Sequence, residues 1–172
     1  MPTFKTITFD YRPQEDRVLA AINLGRVDSW SCWLTRRLSL AVLERAGTLL
    51  ASTSLLAKRA GPTYQGELVA FEKDAAMAAT AKAVSPTPRD VLDACAAGAE
   101  LAVKVTMTAK GEHLSVELLG ERGGQVTGLL LRVEVQRILR MLQLEVERGN
   151  WIIGPPAAPA AVHPGPANPV RH

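Results

Sequence analysis

The 172-residue sequence predicts an α+β domain with an antiparallel sheet of about five strands, an N-terminal hairpin plus a three-strand meander, together with a helical insertion and a C-terminal amphipathic helix. Two observations predict this class. Apolar and polar side chains alternate over residues 100–131, as in strands with one solvated face. Over 133–148 apolar residues recur at three- and four-residue spacing, as in a helix that packs on one side. We assign residues 1–153 to a single domain and 154–172 to a tail.

The first two strands are predicted to form the hairpin. Residues 4–11 alternate in polarity, and the segment that follows contains Pro13, which favours a turn. The second strand, residues 18–24, is apolar on both faces. We therefore expect it to lie in the centre of the sheet with both faces covered.

A long helix is predicted to follow the second strand. Gly25 ends that strand because glycine readily adopts positive φ, and Asp28 or Ser31 is the candidate N-cap of the helix. Two apolar stripes run along the helix, the first with Leu34, Leu38, Ala41, Val42 and Leu49 and the second with Leu40, Leu43 and Leu50. Two stripes require two partners. One is the sheet, and the other is either a second helix or a second copy of the chain.

The helical insertion continues with a predicted second helix over residues 67–84, whose apolar stripe consists mainly of small residues. Pro88 is suited to the start of a short third helix that ends near Gly98. The three strands of the meander come next, and the amphipathic helix over 133–148 follows them. The tail is rich in proline and alanine, a composition typical of an extended spacer.

Composition and charge argue against several functions. The formal net charge is +3, from 20 basic and 17 acidic residues, and the cations are dispersed rather than gathered on a nucleic-acid-binding face. Cys32 and Cys95 are too few for a metal framework and indicate a reducing compartment, so we expect a cytoplasmic protein. No apolar run approaches the roughly 18 to 20 residues of a membrane span. We predict that the protein uses no cofactor or metal and that it binds neither nucleic acid nor a membrane.

Four residues are candidates for a ligand site. Trp30 and Trp33 stand at helical spacing and could stack on a ring, although a packing role is favoured in a chain with only 5% aromatic residues. Arg36 near a helix start could hold a phosphate. His113 is the only histidine ahead of the tail, so any histidine-dependent catalysis would depend on it.

The order of the predicted elements resembles the head domain shared by the non-homologous end-joining scaffold proteins and the centriolar cartwheel protein. The stretches that carry the resemblance are DRVLAAINLG leading into SWSCWLTRRLSLAVLERA, and LSVELLGERGGQVTGLLL leading into VEVQRILRMLQLEVERG. This resemblance implies a non-enzymatic scaffold that dimerises through its terminal helix. Members of that superfamily have a long coiled-coil stalk, whereas Gly149 and the prolines after it end the helix here. The resemblance assigns no functional residue in this chain.

We predict a non-enzymatic protein-interaction or assembly protein that acts as a homodimer or as a subunit of a larger complex. The candidate interface residues are Leu40, Leu43, Leu50, Ile138, Leu142 and Val146. The alternative is a small-molecule-binding protein or enzyme with a pocket near Trp30, Trp33, Arg36 and His113. No residue is assigned to catalysis, to a cofactor or to a metal.

Overall fold

The computed structural model describes residues 3–53 and 87–151, which form six strands and three helices. The elements are β1 (Ile7–Arg12), β2 (Arg17–Ile22), β3 (Trp30–Thr35), α1 (Arg36–Thr53), α2 (Arg89–Gly98), β4 (Glu100–Lys110), β5 (His113–Gly120), β6 (Gln125–Leu131) and α3 (Arg132–Arg148). The strands lie in one sheet in the order β1 to β6, and all neighbours are antiparallel except β3 and β4. The α+β class is confirmed, with six strands in a mixed sheet where we predicted about five antiparallel ones.

The additional strand is β3, in a stretch that we assigned to the start of the long helix. Trp30 and Trp33 are three residues apart, which fits one helical turn, but Cys32 and Leu34 are buried while their neighbours are half-buried, which is strand alternation. Both patterns fit so short a stretch. Pairing with β2 along all six residues makes it a strand.

The N-cap of α1 differs from the prediction for the same reason. Thr35 Oγ1 accepts a hydrogen bond at 3.2 Å from the backbone N–H three residues further on. Asp28 instead accepts a hydrogen bond from Asn23 Nδ2 at 3.0 Å. Ser31 points away from α1 and donates to the backbone carbonyl of Cys95 at 2.8 Å. Neither residue caps α1. Asp28 instead stabilises the connection between β2 and β3, and Ser31 contacts α2.

The sheet consists of two antiparallel three-stranded halves joined at one corner. The corner contains two parallel residue pairs, Cys32 with Glu100 and Trp33 with Leu101. Beyond Leu101, β4 is paired only with β5 among the residues that the structure describes. At the opposite edge, the backbone N–H of Phe4 donates to the carbonyl of β6 at 2.8 Å. The sheet therefore curves until residues ahead of its first strand reach its last strand.

The main core lies inside this curve, where α1 and α3 cover one face of the sheet. Its buried members are Phe4, Val18, Ala20, Ile22, Cys32, Leu34, Ala46, Leu50, Ala102, Leu114, Val116, Leu118, Val126, Leu130, Val135, Leu139, Leu142, Val146 and Trp151. On the other face, Leu19 and Ala21 of β2 pack against Leu92 of α2. β2 is thus covered on both faces, and its prediction as a central strand is confirmed.

Some of the other predicted elements are observed, and the rest lie outside the described residues. The meander, the short helix after Pro88 and the C-terminal helix are observed as β4 to β6, α2 and α3. The predicted helix over 67–84 and the tail over 154–172 lie outside the described residues. No described helix combines the length and hydropathy that a membrane span requires.

Candidate functional site

The four residues predicted for a ligand site are not brought together. Trp30 and Trp33 lie on opposite faces of β3, so Trp30 packs against the main core and Trp33 against the α2 side. Arg36 is exposed and donates to a backbone carbonyl just beyond α3 at 3.4 Å. His113 lies at the end of β4 and β5 that is far from β3, roughly 30 Å away along the strand. These side chains do not line one pocket.

The six residues predicted for an interface lie on the two core-facing helices. Three of them are fully enclosed in the main core, at most 2% exposed: Leu50, Leu142 and Val146. The other three are partly buried and pack against that core: Leu40, Leu43 and Ile138. Because these three enclosed side chains already have partners within the chain, a contact between copies cannot be built on them. The homodimer itself stays a prediction.

The turn between β5 and β6 closes around a buried carboxylate that sequence analysis missed. Glu100 accepts one hydrogen bond from Trp30 Nε1 at 2.8 Å and another from the backbone N–H of Arg122 at 2.6 Å. A Cβ atom at Gly120 or Gly124 would overlap this carboxylate. The absence of side chains at Gly120 and Gly124 therefore leaves room for Glu100 where the two half-sheets meet.

The thiol of Cys32 lies beside this carboxylate in the core. Burial and, secondarily, the negative charge of Glu100 raise the pKa of Cys32 from 9.0 to about 12. Both cysteines are free thiols, and burial also raises the pKa of the less enclosed Cys95. Neither thiol is activated as a nucleophile, because a reactive cysteine needs a lowered pKa.

The raised pKa of Cys32 predicts a loss of stability in alkaline solution. The unfolded chain releases this proton near pH 9, whereas the folded chain holds it to about pH 12. The free energy of unfolding should therefore fall, through this group, by about 1.4 kcal/mol per pH unit above pH 9. Urea unfolding of the protein and of Cys32→Ala between pH 8 and about pH 10.5 measures the difference. Parallel pH profiles for the two chains would contradict the prediction.

A cluster of ion pairs joins β1 to α2. The side chain of Arg12 is only 10% exposed; its Nε contacts Asp10, and its Nη1 lies 2.5 Å from Asp93 Oδ1. Arg89 of α2, with a side chain 61% exposed, reaches Asp10 at 3.4 Å and Asp93 at 3.5 Å. Burial lowers the pKa of Arg12, but hydrogen bonds and charges from Asp93 and Asp10 outweigh it and raise that pKa. Two cations and two anions thus pair with one another and fix α2 on the sheet.

The chain just after α3 is tied to the β1–β2 hairpin. Trp151 is buried, and its Nε1 donates to Asp16 Oδ1 at 2.8 Å. The same oxygen accepts a hydrogen bond from the Tyr11 hydroxyl at 3.1 Å. The rings of Tyr11 and Trp151 meet edge to face, with centroids 5.4 Å apart, and the backbone N–H of Tyr11 donates to Glu145 of α3 at 2.9 Å. The end of α3 is anchored within the domain.

An exposed apolar surface lies where β6 passes into α3. Leu129, Leu131 and Val133 expose 59%, 47% and 42% of their surface, and we call these three residues the β6 patch. The carbonyl of Thr127 points to the free side of β6, where it accepts a hydrogen bond from Phe4. Leu129 is two residues further on and therefore directs its own N–H and C=O to the same free edge.

Charged residues adjoin the β6 patch on one side. His113 pairs with Leu131 on one side and with Lys110 on the other, which places the β4–β5 turn about 10 Å from the patch. Lys110 and Glu112 in this turn are exposed. Among the described residues neither has an ion-pair partner. The patch thus has an apolar centre with one cation and one anion at its rim.

The described residues form an α+β fold with a curved mixed sheet, a partly buried ion-pair cluster around Arg12, a buried carboxylate at Glu100 and an exposed apolar patch on β6 and α3. Within residues 3–53 and 87–151, no group of three or more His, Cys, Asp or Glu side chains could hold a metal ion. Comparison with protein-family models, curated proteins and solved structures gives no significant match to this chain.

Proposed function

We propose that the protein is a non-enzymatic assembly protein that forms a homodimer through the β6 patch. The supporting observation is the exposure of Leu129, Leu131 and Val133 at the edge of β6, where the described residues pair only at Thr127. Adjacent exposed apolar side chains are typical of a surface that another protein covers. The centres of protein interfaces are also apolar and contain few charged residues, and a polar rim surrounds them.

The opposite charges at the rim favour a second copy of the chain as the protein that covers the β6 patch. A two-fold contact uses the same surface on both subunits, so that surface must be complementary to itself. Lys110 and Glu112 supply opposite charges on the two sides of one turn, both exposed. A two-fold axis through the patch lets Lys110 of one copy approach Glu112 of the other, while the leucines meet at the centre.

The resemblance to the scaffold superfamily supports the same class of function, with a different contact. In that superfamily dimerisation uses the terminal helix. Here Leu139, Leu142 and Val146 of α3 are buried against the chain's own sheet, and Trp151 anchors the end of the helix. We therefore place the contact at β6 and the first turn of α3, which contains Val133.

The buried ionisable groups favour a binding role over a catalytic one. Arg12 is paired with Asp10 and Asp93, and Glu100 accepts hydrogen bonds from a tryptophan side chain and a backbone amide. Groups used in this way stabilise the fold and do not converge on an open cleft, where perturbed catalytic groups are usually found.

The proposed dimer predicts that a double substitution, Leu129→Glu with Leu131→Glu, weakens self-association by at least about 100-fold. Four glutamates would meet at the centre of the contact, where each loses water and faces a like charge. Light scattering over a range of concentrations measures the mass of each chain. Circular dichroism of the variant establishes that it is folded.

Two comparisons separate this contact from a general effect of charge. Val27 is a fully exposed apolar residue between β2 and β3, so Val27→Glu should leave the dimer intact. Lys110→Glu should weaken the dimer, and adding Glu112→Lys should restore it if the two residues face each other. A monomeric parent protein at all concentrations, or equal loss in Val27→Glu, would refute the proposed dimer.

A further inference from the structure

A groove runs between α1 and the side of β4 that no described strand pairs with after Leu101. Its volume is about 540 Å³, and its lining residues are Leu38, Ala41, Val42, Arg45, Thr48, Leu49, Ser52, Lys104, Val105, Thr106 and Met107. The groove exists because β3 leaves β4 after Leu101, and α1 takes the place of a neighbouring strand. Its volume falls within the roughly 300 to 1,000 Å³ typical of small-molecule sites.

The groove has an apolar floor and a cationic rim. Leu38, Val42 and Met107 belong to the floor, whereas Arg45 and Lys104 are both exposed cations. Neither cation has an ion pair or a side-chain hydrogen bond among the described residues, and no described acidic side chain lines the groove. Positive charge is therefore available here, next to apolar surface.

A small apolar cavity of the core lies next to the floor of the groove. A second cavity, of about 40 Å³, shares Val42, Val105 and Met107 with the groove and is lined by apolar residues alone. A small apolar cavity gives a water molecule no hydrogen-bond partner, so it favours an alkyl group. The two spaces are thus adjacent, and these three side chains lie between the groove with its charged rim and the apolar cavity.

We propose that this groove binds a long-chain carboxylate, with its carboxylate between Arg45 and Lys104 and its alkyl chain along the floor towards the cavity. A ligand with one anionic end and a long apolar body matches both the charge and the apolar lining. Thr48 and Ser52 donate their hydroxyl protons to carbonyls of their own helix, at 3.2 and 2.9 Å. The two cations therefore provide the specificity for the head group.

The proposed site is tested by calorimetry of the full chain with octanoate, decanoate and dodecanoate, each below its micelle concentration. Affinity should rise with chain length, by up to about fourfold per methylene buried. Dodecyltrimethylammonium, which has the same chain and the opposite charge, should bind at least about tenfold more weakly than dodecanoate. Absence of dodecanoate binding, or equal binding of the cationic analogue, would overturn the proposal.

Substitutions at the rim locate the head group. Arg45→Gln combined with Lys104→Gln should weaken dodecanoate binding about tenfold or more, and both positions are exposed, so the fold should tolerate the change. Arg37→Gln, at an exposed cation on the same helix outside the groove, is the matched control and should bind like the parent. Equal affinity in the double variant would overturn the assignment. So would binding to phosphatidylglycerol vesicles without binding to the monomeric carboxylate.

Discussion

Replacing Trp151 with alanine is expected to lower the free energy of unfolding by about 3–5 kcal/mol. The indole is buried in the main core, contacts Tyr11 edge to face and donates a hydrogen bond to Asp16. Its removal leaves a cavity at the end of α3 and an oxygen of Asp16 with one donor fewer. The hydrogen bond from the Tyr11 backbone N–H to the Glu145 carboxylate should then also weaken, because the ring that holds the two elements together is gone.

Urea unfolding, followed by circular dichroism, measures this effect. Trp151→Phe is the matched control, since it keeps an aromatic ring against Tyr11 and removes the indole N–H. We expect that variant to lose about 1–2 kcal/mol, the range for one hydrogen bond and a small loss of volume. A loss below about 1 kcal/mol for Trp151→Ala would show that the residue does not anchor α3.

Asp10→Ala is expected to destabilise the protein by about 3 kcal/mol, at the lower end of the range for breaking a buried ion pair. The variant leaves the Arg12 guanidinium buried with Asp93 as its remaining carboxylate. Within the described parts of the chain, Arg12 Nη2 already has no hydrogen-bond partner, so little is available to compensate for the lost contact. The stability of α2 on the sheet should fall with that of the whole domain.

Arg89→Ala provides the comparison, because Arg89 belongs to the same cluster but has a side chain 61% exposed. Solvent screens its contacts, so we expect a loss below about 1 kcal/mol. Replacing Asp10 and Arg12 together with leucine should recover much of the stability, since no charge is then left buried alone. Equal losses in Arg89→Ala and Asp10→Ala, by thermal or urea unfolding, would contradict this account of the cluster.

The fold class was predictable because the longest elements have unambiguous periods. The alternation along β4 and the three- and four-residue spacing along α3 each extend over enough residues to exclude the other pattern. The two apolar faces of β2 likewise predicted a central strand. β3 was missed because Trp30–Thr35 is short and runs directly into α1, so the helical period was extended backwards over it.

The contacts that define the candidate sites were less accessible to sequence analysis. Trp30 meets Glu100 across 70 positions, Arg12 meets Asp93 across 81, and Trp151 meets Asp16 across 135. Spacing along the chain carries no signal for such pairs. Helical periodicity also shows which face of α1 or α3 is apolar without showing what covers it, which is why buried core residues such as Leu142 were predicted for an interface.

The corner between β3 and β4 has a consequence for how the chain reaches this structure. Within each half-sheet, neighbouring strands are joined by short connections, so their pairings close small loops. Pairing β3 with β4 instead closes a loop that runs from residue 36 to residue 99, with only two residue pairs to offset the entropy lost. We therefore expect the half-sheets to form first and the corner last. Interactions made after the folding transition state slow unfolding without speeding folding, so the hydrogen bond from Trp30 to Glu100 across this corner should govern the lifetime of the native state.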